Sequence, residues 1–235
     1  MNNELLNIVK SLKNYMSFEQ EAGINEIALS GLHAPLQDLG ASQTQAVSLV
    51  RDNRLLLEQL KEQVANCTDC ELCSTRRNTV FGEGSQHARL MLIGEAPGME
   101  EDIQGRPFVG KAGKLLTKII EAIGLKREDV FICNSLKCRP PKNRTPYPSE
   151  IVACRHFLLD QITMINPRII CCLGRPATQS LLMTDASISR MRGKFHDFKG
   201  IKVMPTFHPA YLLRNPSEKK LVWEDMKKIR DFLKQ

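Results

Sequence analysis

No stretch of this chain reaches the roughly 18 consecutive apolar residues that a membrane-spanning helix needs, so none is expected. The opening, MNNELLNIVKSLKNYMSFEQ, lacks the basic start, long apolar core and cleavage site of a secretory signal, and a cytoplasmic protein is expected. A skewed composition is missing too. Hydrophobic residues make up 42% and charged residues 25%, which argues against wholesale disorder. The 235 residues suffice for one good-sized domain with an added segment.

Charge is plentiful but uneven. Residues 1–62 hold five Lys/Arg against eight Asp/Glu, a net −3, and residues 63–235 hold 28 against 18, a net +10. A basic domain behind an acidic extension suits a polyanion binder, because neutralised phosphates release counterions. Solvated basic helices would give the same count.

There are eight cysteines, at 67, 70, 73, 133, 138, 154, 171 and 172. A cytosolic chain keeps thiols reduced, so clustered cysteines point to metal before disulfides. Cys133, Cys171 and Cys172 lie inside apolar runs and read as small core residues.

Residues 1–62 read as a separate helical extension. LLNIVKSLKNYM and AVSLVRDNRLLLEQLKEQV carry apolar residues at three- and four-residue spacing, with a polar linker containing Pro35 between them. From about residue 85 short apolar runs alternate with helical patterns. Strands are expected at 89–94, 130–134, 167–174 and 201–207, with helices at 112–124, 149–165 (Ser149 as N-cap), roughly 175–183 and 216–234. Such alternation implies α/β architecture around a mainly parallel four-stranded sheet. Ligands then lie beyond the C-terminal strand ends.

Three loops meet that condition. The first runs from Gly94 through Glu95 and Ala96 to Asp102, crowding four carboxylates, and continues to Phe108, a candidate for stacking on a base. An acidic surface loop with one core Phe is the plainer account. The second begins at Asn134, whose amide offers a donor and an acceptor, enough to read one nucleobase edge, or simply to cap a turn. The third carries His208, followed by Leu212, Leu213 and Arg214, the composition of a wedge pushed into a duplex or of a helix start packing on the core.

Cys67-x-x-Cys70, Cys138 and Cys154 make a set of four thiolates, sufficient for a tetrahedral metal or a four-iron cluster. Cys67, Cys70 and Cys73 imitate the opening of a ferredoxin run, but Ser74, Thr75, Arg76 and Arg77 replace its last Cys and Pro, which argues against a small electron carrier. Spacing alone leaves zinc and iron–sulfur both open.

Taken in order, GEAPGMEEDIQGRPFVGKAG, NSLKCRPPKNRTP, IVACRHFL and HPAYLLRNP resemble family 4 of the uracil-DNA glycosylases, from about Cys67 to Trp223. The resemblance implies a three-layer α/β/α sandwich and a [4Fe–4S] cluster on Cys67, Cys70, Cys138 and Cys154, with Cys73 left out. It implies that uracil lies against Phe108, that Asn134 reads its edge, and that the backbone around Glu95 and Ala96 contacts its oxygens. Glu101 would sit near C5 and His208 near O2. Ala96 stands where the family commonly has Gly. The Lys-Arg-Arg-Ile-His insertion of relatives that become trapped on uracil-DNA is absent, so turnover is implied.

The implied activity is base excision repair: monofunctional hydrolysis of the deoxyuridine N-glycosidic bond, in single- or double-stranded DNA, after the nucleotide flips out. Glu95 or Glu101 would position water, His208 would stabilise the departing base, and Leu212, Leu213 and Arg214 would hold the DNA. Residues 1–62 would serve a repair or replication partner. Two alternatives are carried: a non-catalytic cluster- or zinc-bearing nucleic-acid-binding protein of the same fold, and a glycosylase for another deaminated base.

Overall fold

The computed structural model describes residues 53–235. The first expected helix and the linker around Pro35 lie outside them. The second expected helix is described only from residue 53 on, as α1, Asn53–Asn66, which runs across residue 62; its first residues lie outside the described ones. Its buried face, Leu57, Leu60 and Val64, joins the main core.

The four expected strands form the parallel centre of the sheet. They are β2 (Leu90–Gly94), β3 (Phe131–Asn134), β4 (Ile169–Leu173) and β6 (Ile201–Thr206). Two short antiparallel edges extend them, β1 (Glu83–Gly84) and β5 (His196–Phe198), giving the order β1-β3-β2-β4-β6-β5. The central runs are continuously apolar because both faces are covered. The edges have no such run to reveal them. A tight hairpin makes β5, with Lys199 (φ 52°) and Gly200 (φ 86°) both left-handed at the turn.

Alternate strand residues feed two cores. Met91, Ile93, Cys133, Ile170, Cys172 and Val203 face α1, α4 (Pro148–Ile165) and α5 (Arg175–Leu182). Leu90, Leu92, Ile132, Cys171, Leu173 and Met204 face α3 (Lys111–Ala122), α7 (Pro209–Arg214) and α8 (Lys219–Leu233). This is a three-layer α/β/α sandwich. Cys133, Cys171 and Cys172 are fully buried in it, as the apolar runs implied. Among the described residues no helix is long and apolar enough to cross a membrane.

Several boundaries differ from expectation. The acidic loop after β2 contains a short helix, α2 (Met99–Gln104), closed by Gly105 in the left-handed region. Another short helix, α6, spans Ile188–Met191. Helix α4 begins at Pro148, not Ser149, because the Glu150 carboxylate accepts the Tyr147 N–H at 2.8 Å and caps the turn one residue earlier.

Sheet register sets up the site. Gly94 and Asn134 are paired at the ends of β2 and β3, and Leu173 pairs with Thr206 at the ends of β4 and β6. The loops that follow leave the sheet at one edge of the molecule, the crevice expected of a parallel α/β sheet.

Candidate active site and thiolate site

A cleft of about 260 Å³ opens at these strand ends, lined by Glu95, Ala96, Glu101, Phe108, Asn134 and His208 together with Pro140, Asn143 and Arg144. The three loops singled out in the sequence therefore meet. Gly94 makes the meeting possible: a Cβ there would collide with Asn134 Oδ1 and lie 2.6 Å from Phe108 Cζ.

Phe108 is buried and forms the cleft wall. Its backbone is left-handed (φ 52°), a conformation an aromatic residue adopts only when its surroundings impose it. Two constraints do so. Glu101 Oε1 accepts the N–H groups of Val109 (2.9 Å) and Gly110 (3.0 Å), and Gly113, lacking a Cβ, lets α3 pass against the Phe108 carbonyl.

The four carboxylates of the loop thus separate by task. Glu101 latches the Phe108 turn. Asp102 is buried and accepts the Arg77 N–H at 2.9 Å. Glu100 is exposed on α2. Glu95 lines the cleft with no side-chain hydrogen bond or ion pair among the described residues, and burial alone pushes its pKa up.

Asn134 is 2% exposed, and its Oδ1 has no hydrogen-bond partner. An unmet buried acceptor costs about 1–3 kcal/mol, so the Asn134 Oδ1 keeps hydrogen-bonding capacity that the rest of the described chain does not use. Its loop is anchored to the first one, since Ser135 N donates to Gly94 O (2.9 Å) and Leu136 N to Glu95 O (3.0 Å).

His208 stands 5.6 Å from the Phe108 ring, centroid to centroid. Its Nδ1 accepts the Ala210 N–H at 3.1 Å, which assigns the proton of the neutral ring to Nε2. Burial first, and then the positive charge of Arg214, push its pKa down to about 4, against a smaller opposing effect from Glu101. The ring is a neutral N–H donor at physiological pH.

Beyond His208 the expected wedge divides. Leu213 is 45% exposed and Arg214 is exposed, but Leu212 is 0% exposed and sits in the core with Val222 and Met226. Leu212 is corrected to a core residue: α7 is amphipathic, and one face of its last turn must pack on α3 and α8.

The thiols gather in a second place. Cys67, Cys70, Cys138 and Cys154 line one cavity, and Cys73 lines it too. The first three cysteines of the chain ride on the end of α1 and a 3₁₀ turn, Glu71–Ser74, anchored by buried Leu72. Cys138 follows the Asn134 loop, and Cys154 projects from α4. Arg76 bridges the segments, with Nη1 donating to Cys138 Sγ (3.2 Å) and Nη2 to the carbonyls of Cys67 (2.8 Å) and Ala65 (3.2 Å). The Lys137 N–H donates to Cys154 Sγ at 3.3 Å. Burial pushes the Cys138 thiol up and the Cys154 thiol up to about 12. Among the described residues no three His, Cys, Asp or Glu side chains converge closely enough to hold a single metal ion.

Sequence reasoning missed Arg76, Lys137 and Arg144. Arg144 lines the cleft while bonding Glu150 (2.9 and 2.6 Å) and standing 3.7 Å over the Tyr147 ring. Lys137 and Arg144 lie inside the quoted NSLKCRPPKNRTP motif, where position alone marked them.

The family model of the uracil DNA glycosylase superfamily matches residues 81–227. A type-4 uracil-DNA glycosylase of Thermotoga maritima is 50% identical over 186 residues, covering 77% of this chain and 96% of the relative. One from Saccharolobus solfataricus is 48% identical over 186 residues, covering 75% of this chain and 86% of the relative. A type-5 uracil-DNA glycosylase of Pyrobaculum aerophilum is more distant, 27% identical over 183 residues, 64% of this chain and 80% of its own. With its sandwich, its cleft at the parallel strand ends and this degree of identity, the chain belongs to the uracil DNA glycosylase superfamily.

Proposed function

We propose that this protein is a DNA glycosylase of base excision repair, hydrolysing the N-glycosidic bond of deoxyuridine in DNA to free uracil and leave an abasic site. The observation that carries the reading is the unmet Asn134 Oδ1, placed beside the Phe108 ring and a neutral His208 in one cleft.

The chemistry follows from these groups. C1′ of a stacked nucleotide is out of reach, so the deoxyuridine must flip out. Its base rests on Phe108. Asn134 Oδ1 accepts the uracil N3–H and its amide donates to O4. Cytosine reverses both, offering no N3–H and presenting an amino group at position 4, so it leaves buried groups unpaired and is rejected. As the bond lengthens the sugar gains positive charge and uracil leaves as an anion. His208 Nε2–H stabilises charge growing on O2, and such a donor is typically worth about 2.7–4 kcal/mol. Because the ring is already neutral at pH 7, it acts by hydrogen bonding and gives up no proton.

Between the two candidate carboxylates, the geometry favours Glu95 for the water. Glu101 is occupied in holding the Phe108 turn, whereas Glu95 faces the cleft unpaired. Its carboxylate orients the attacking water and offsets the cationic sugar. Leu213 and Arg214, exposed beyond His208, contact the DNA around the flipped nucleotide.

The thiolate site fits an iron–sulfur cluster held by Cys67, Cys70, Cys138 and Cys154. Buried thiols become thiolates only with strong positive charge between them, and Arg76 and the Lys137 N–H already donate to two of the sulfurs. Five cysteines line the one cavity, a donor set that suits a group spanning several sulfurs. Bound there, the group supplies a covalent cross-link between the Cys67 segment, the Asn134 loop and α4.

The test is release of free base from uracil, hypoxanthine and undamaged oligonucleotides, with Asn134→Ala alongside. Uracil alone should be released, and Asn134→Ala should lose about 10²–10³-fold in kcat/KM without losing thermal stability, since it deletes an acceptor that has no partner. Full activity of the variant removes Asn134 from the site, and equal release of hypoxanthine overturns the base assignment.

A further inference from the structure

Between the two sites lies a residue that neither has yet used. Lys137 is 1% exposed, heading the largest fully buried side chains of the described residues. Its Nζ donates to the Asn134 carbonyl at 2.7 Å and to Gln161 Oε1 at 2.6 Å. Gln161 is itself fixed, its Nε2 donating to the Phe81 carbonyl at 2.8 Å, so Oε1 is turned toward the amine. Both partners of the amine are neutral. Among the described residues no carboxylate pairs with it.

A buried ammonium without a counter-charge is costly, and burial on this scale is rare for lysine unless it is paired. The groups beside it that could carry a negative charge include the thiols of the cavity. Lys137 lines the thiol cavity, its own N–H bonds Cys154 Sγ, and Cys138 is the next residue in the chain. On the other side, the carbonyl it grips belongs to the residue whose amide faces the cleft.

We propose that Lys137 is a positioning residue coupling the thiolate site to base recognition: the ligated thiolates balance its buried ammonium, and the ammonium holds the Asn134 main chain so that Oδ1 meets the base. This rests on the function and cluster readings given above. The thiolate site is then more than a staple. Its charge is one half of a pair whose other half steadies the base-reading amide.

The experiment compares wild type and Lys137→Met, both purified anaerobically with iron. Methionine keeps most of the volume and deletes the charge and the donors. Iron release to a chelator should quicken severalfold, and kcat/KM on uracil-containing oligonucleotide should fall ten- to hundredfold, the usual cost of losing an outer partner of a metal site. An iron-loaded variant with wild-type release rate and wild-type kcat/KM overturns the proposal, because lysine would then only fill space. Wild type separates the claims: if it holds no iron or frees no uracil, the underlying reading fails, and if it does both while the variant is indifferent, only the coupling fails. Gln161→Glu keeps the question answerable should Lys137→Met not fold. A carboxylate beside Nζ supplies the missing counter-charge, so removing iron should lower the melting temperature less in Gln161→Glu than in wild type; the lost Gln161 Nε2 bond to the Phe81 carbonyl is common to the loaded and stripped variant and cancels. An equal drop overturns the proposal.

Discussion

The cleft and the thiolate site begin four residues apart, at Asn134 and Cys138, yet they are held in opposite ways. The cleft is built by the segments that follow β2, β3 and β6, with Glu101 on α2 and Phe108 just beyond it, and the strands are locked between two apolar cores. The cleft is complete without a ligand except for one acceptor. The thiols are delivered by a 3₁₀ turn, a loop and one helix side, and no strand lies among them. Hydrophobic burial places the chemistry of the first site. At the second, Arg76 hydrogen bonds and buried Leu72 tie the Cys67 segment to Cys138 and the core.

That contrast is broken or sharpened first at the cysteines. Cys138→Ser removes a sulfur that joins the loop to the Cys67 segment and should cost nearly all bound iron. Cys73→Ser should retain it, although Cys73 lines the same cavity. Iron analysis by absorption and metal content decides, and the reverse pattern reassigns the ligand set. Chelation of wild type should lower the melting temperature and raise amide exchange around residues 67–76 and 135–144 while β2 and β4 stay protected. Uniform loss of protection would mean that the sheet also depends on the group.

How much of this the sequence disclosed follows the same division. The parallel strands were legible because a doubly covered strand must be a short apolar run, and the cleft loops because parallel strands end at one edge. Edge strands of two and three residues, such as Glu83–Gly84, carry no pattern of their own and exist only through their partners. At the site, residue types that advertise chemistry (Asn134, His208, the cysteines) stood out. Lys137 and Arg76 did not, since a lysine or arginine in a basic chain reads as surface until its burial or its bond to a thiol is seen. Leu212 and Leu213 were indistinguishable in sequence, and only the packing of α7 puts one inside and one out.

That pair gives the next test. Leu212→Ala should destabilise the protein by about 2–5 kcal/mol, as a core truncation does, with activity on the folded fraction little changed. Leu213→Ala and Arg214→Ala should leave melting nearly unaltered and weaken DNA binding, Arg214→Ala also lowering its salt dependence by about one phosphate contact. Denaturant melts and titrations at two ionic strengths measure both. Stable Leu212→Ala protein with impaired DNA binding would return that leucine to the interface.

The smallest effect concerns His208, where cleft chemistry and stability meet. Its folded pKa is near 4 against an ordinary 6.5, so the folded state resists a proton that the unfolded chain accepts. The unfolded state therefore binds more protons between these values. Stability from the neutral ring is full above pH 6.5, falls as pH drops, and levels off below about 4. By pH 5 the loss is about 2 kcal/mol at one pKa unit per 1.36 kcal/mol. Glu95, whose pKa is raised, works the other way, so the comparison must be between wild type and His208→Asn over the same range. The variant should lack the His208 part of the slope, and kcat/KM of wild type should show no step near pH 6.5, because the ring that stabilises the departing uracil is still neutral there. A step at pH 6.5 would mean that the open cleft lets water reach the imidazole and restore its ordinary basicity, and catalysis by a preformed neutral donor would then be lost.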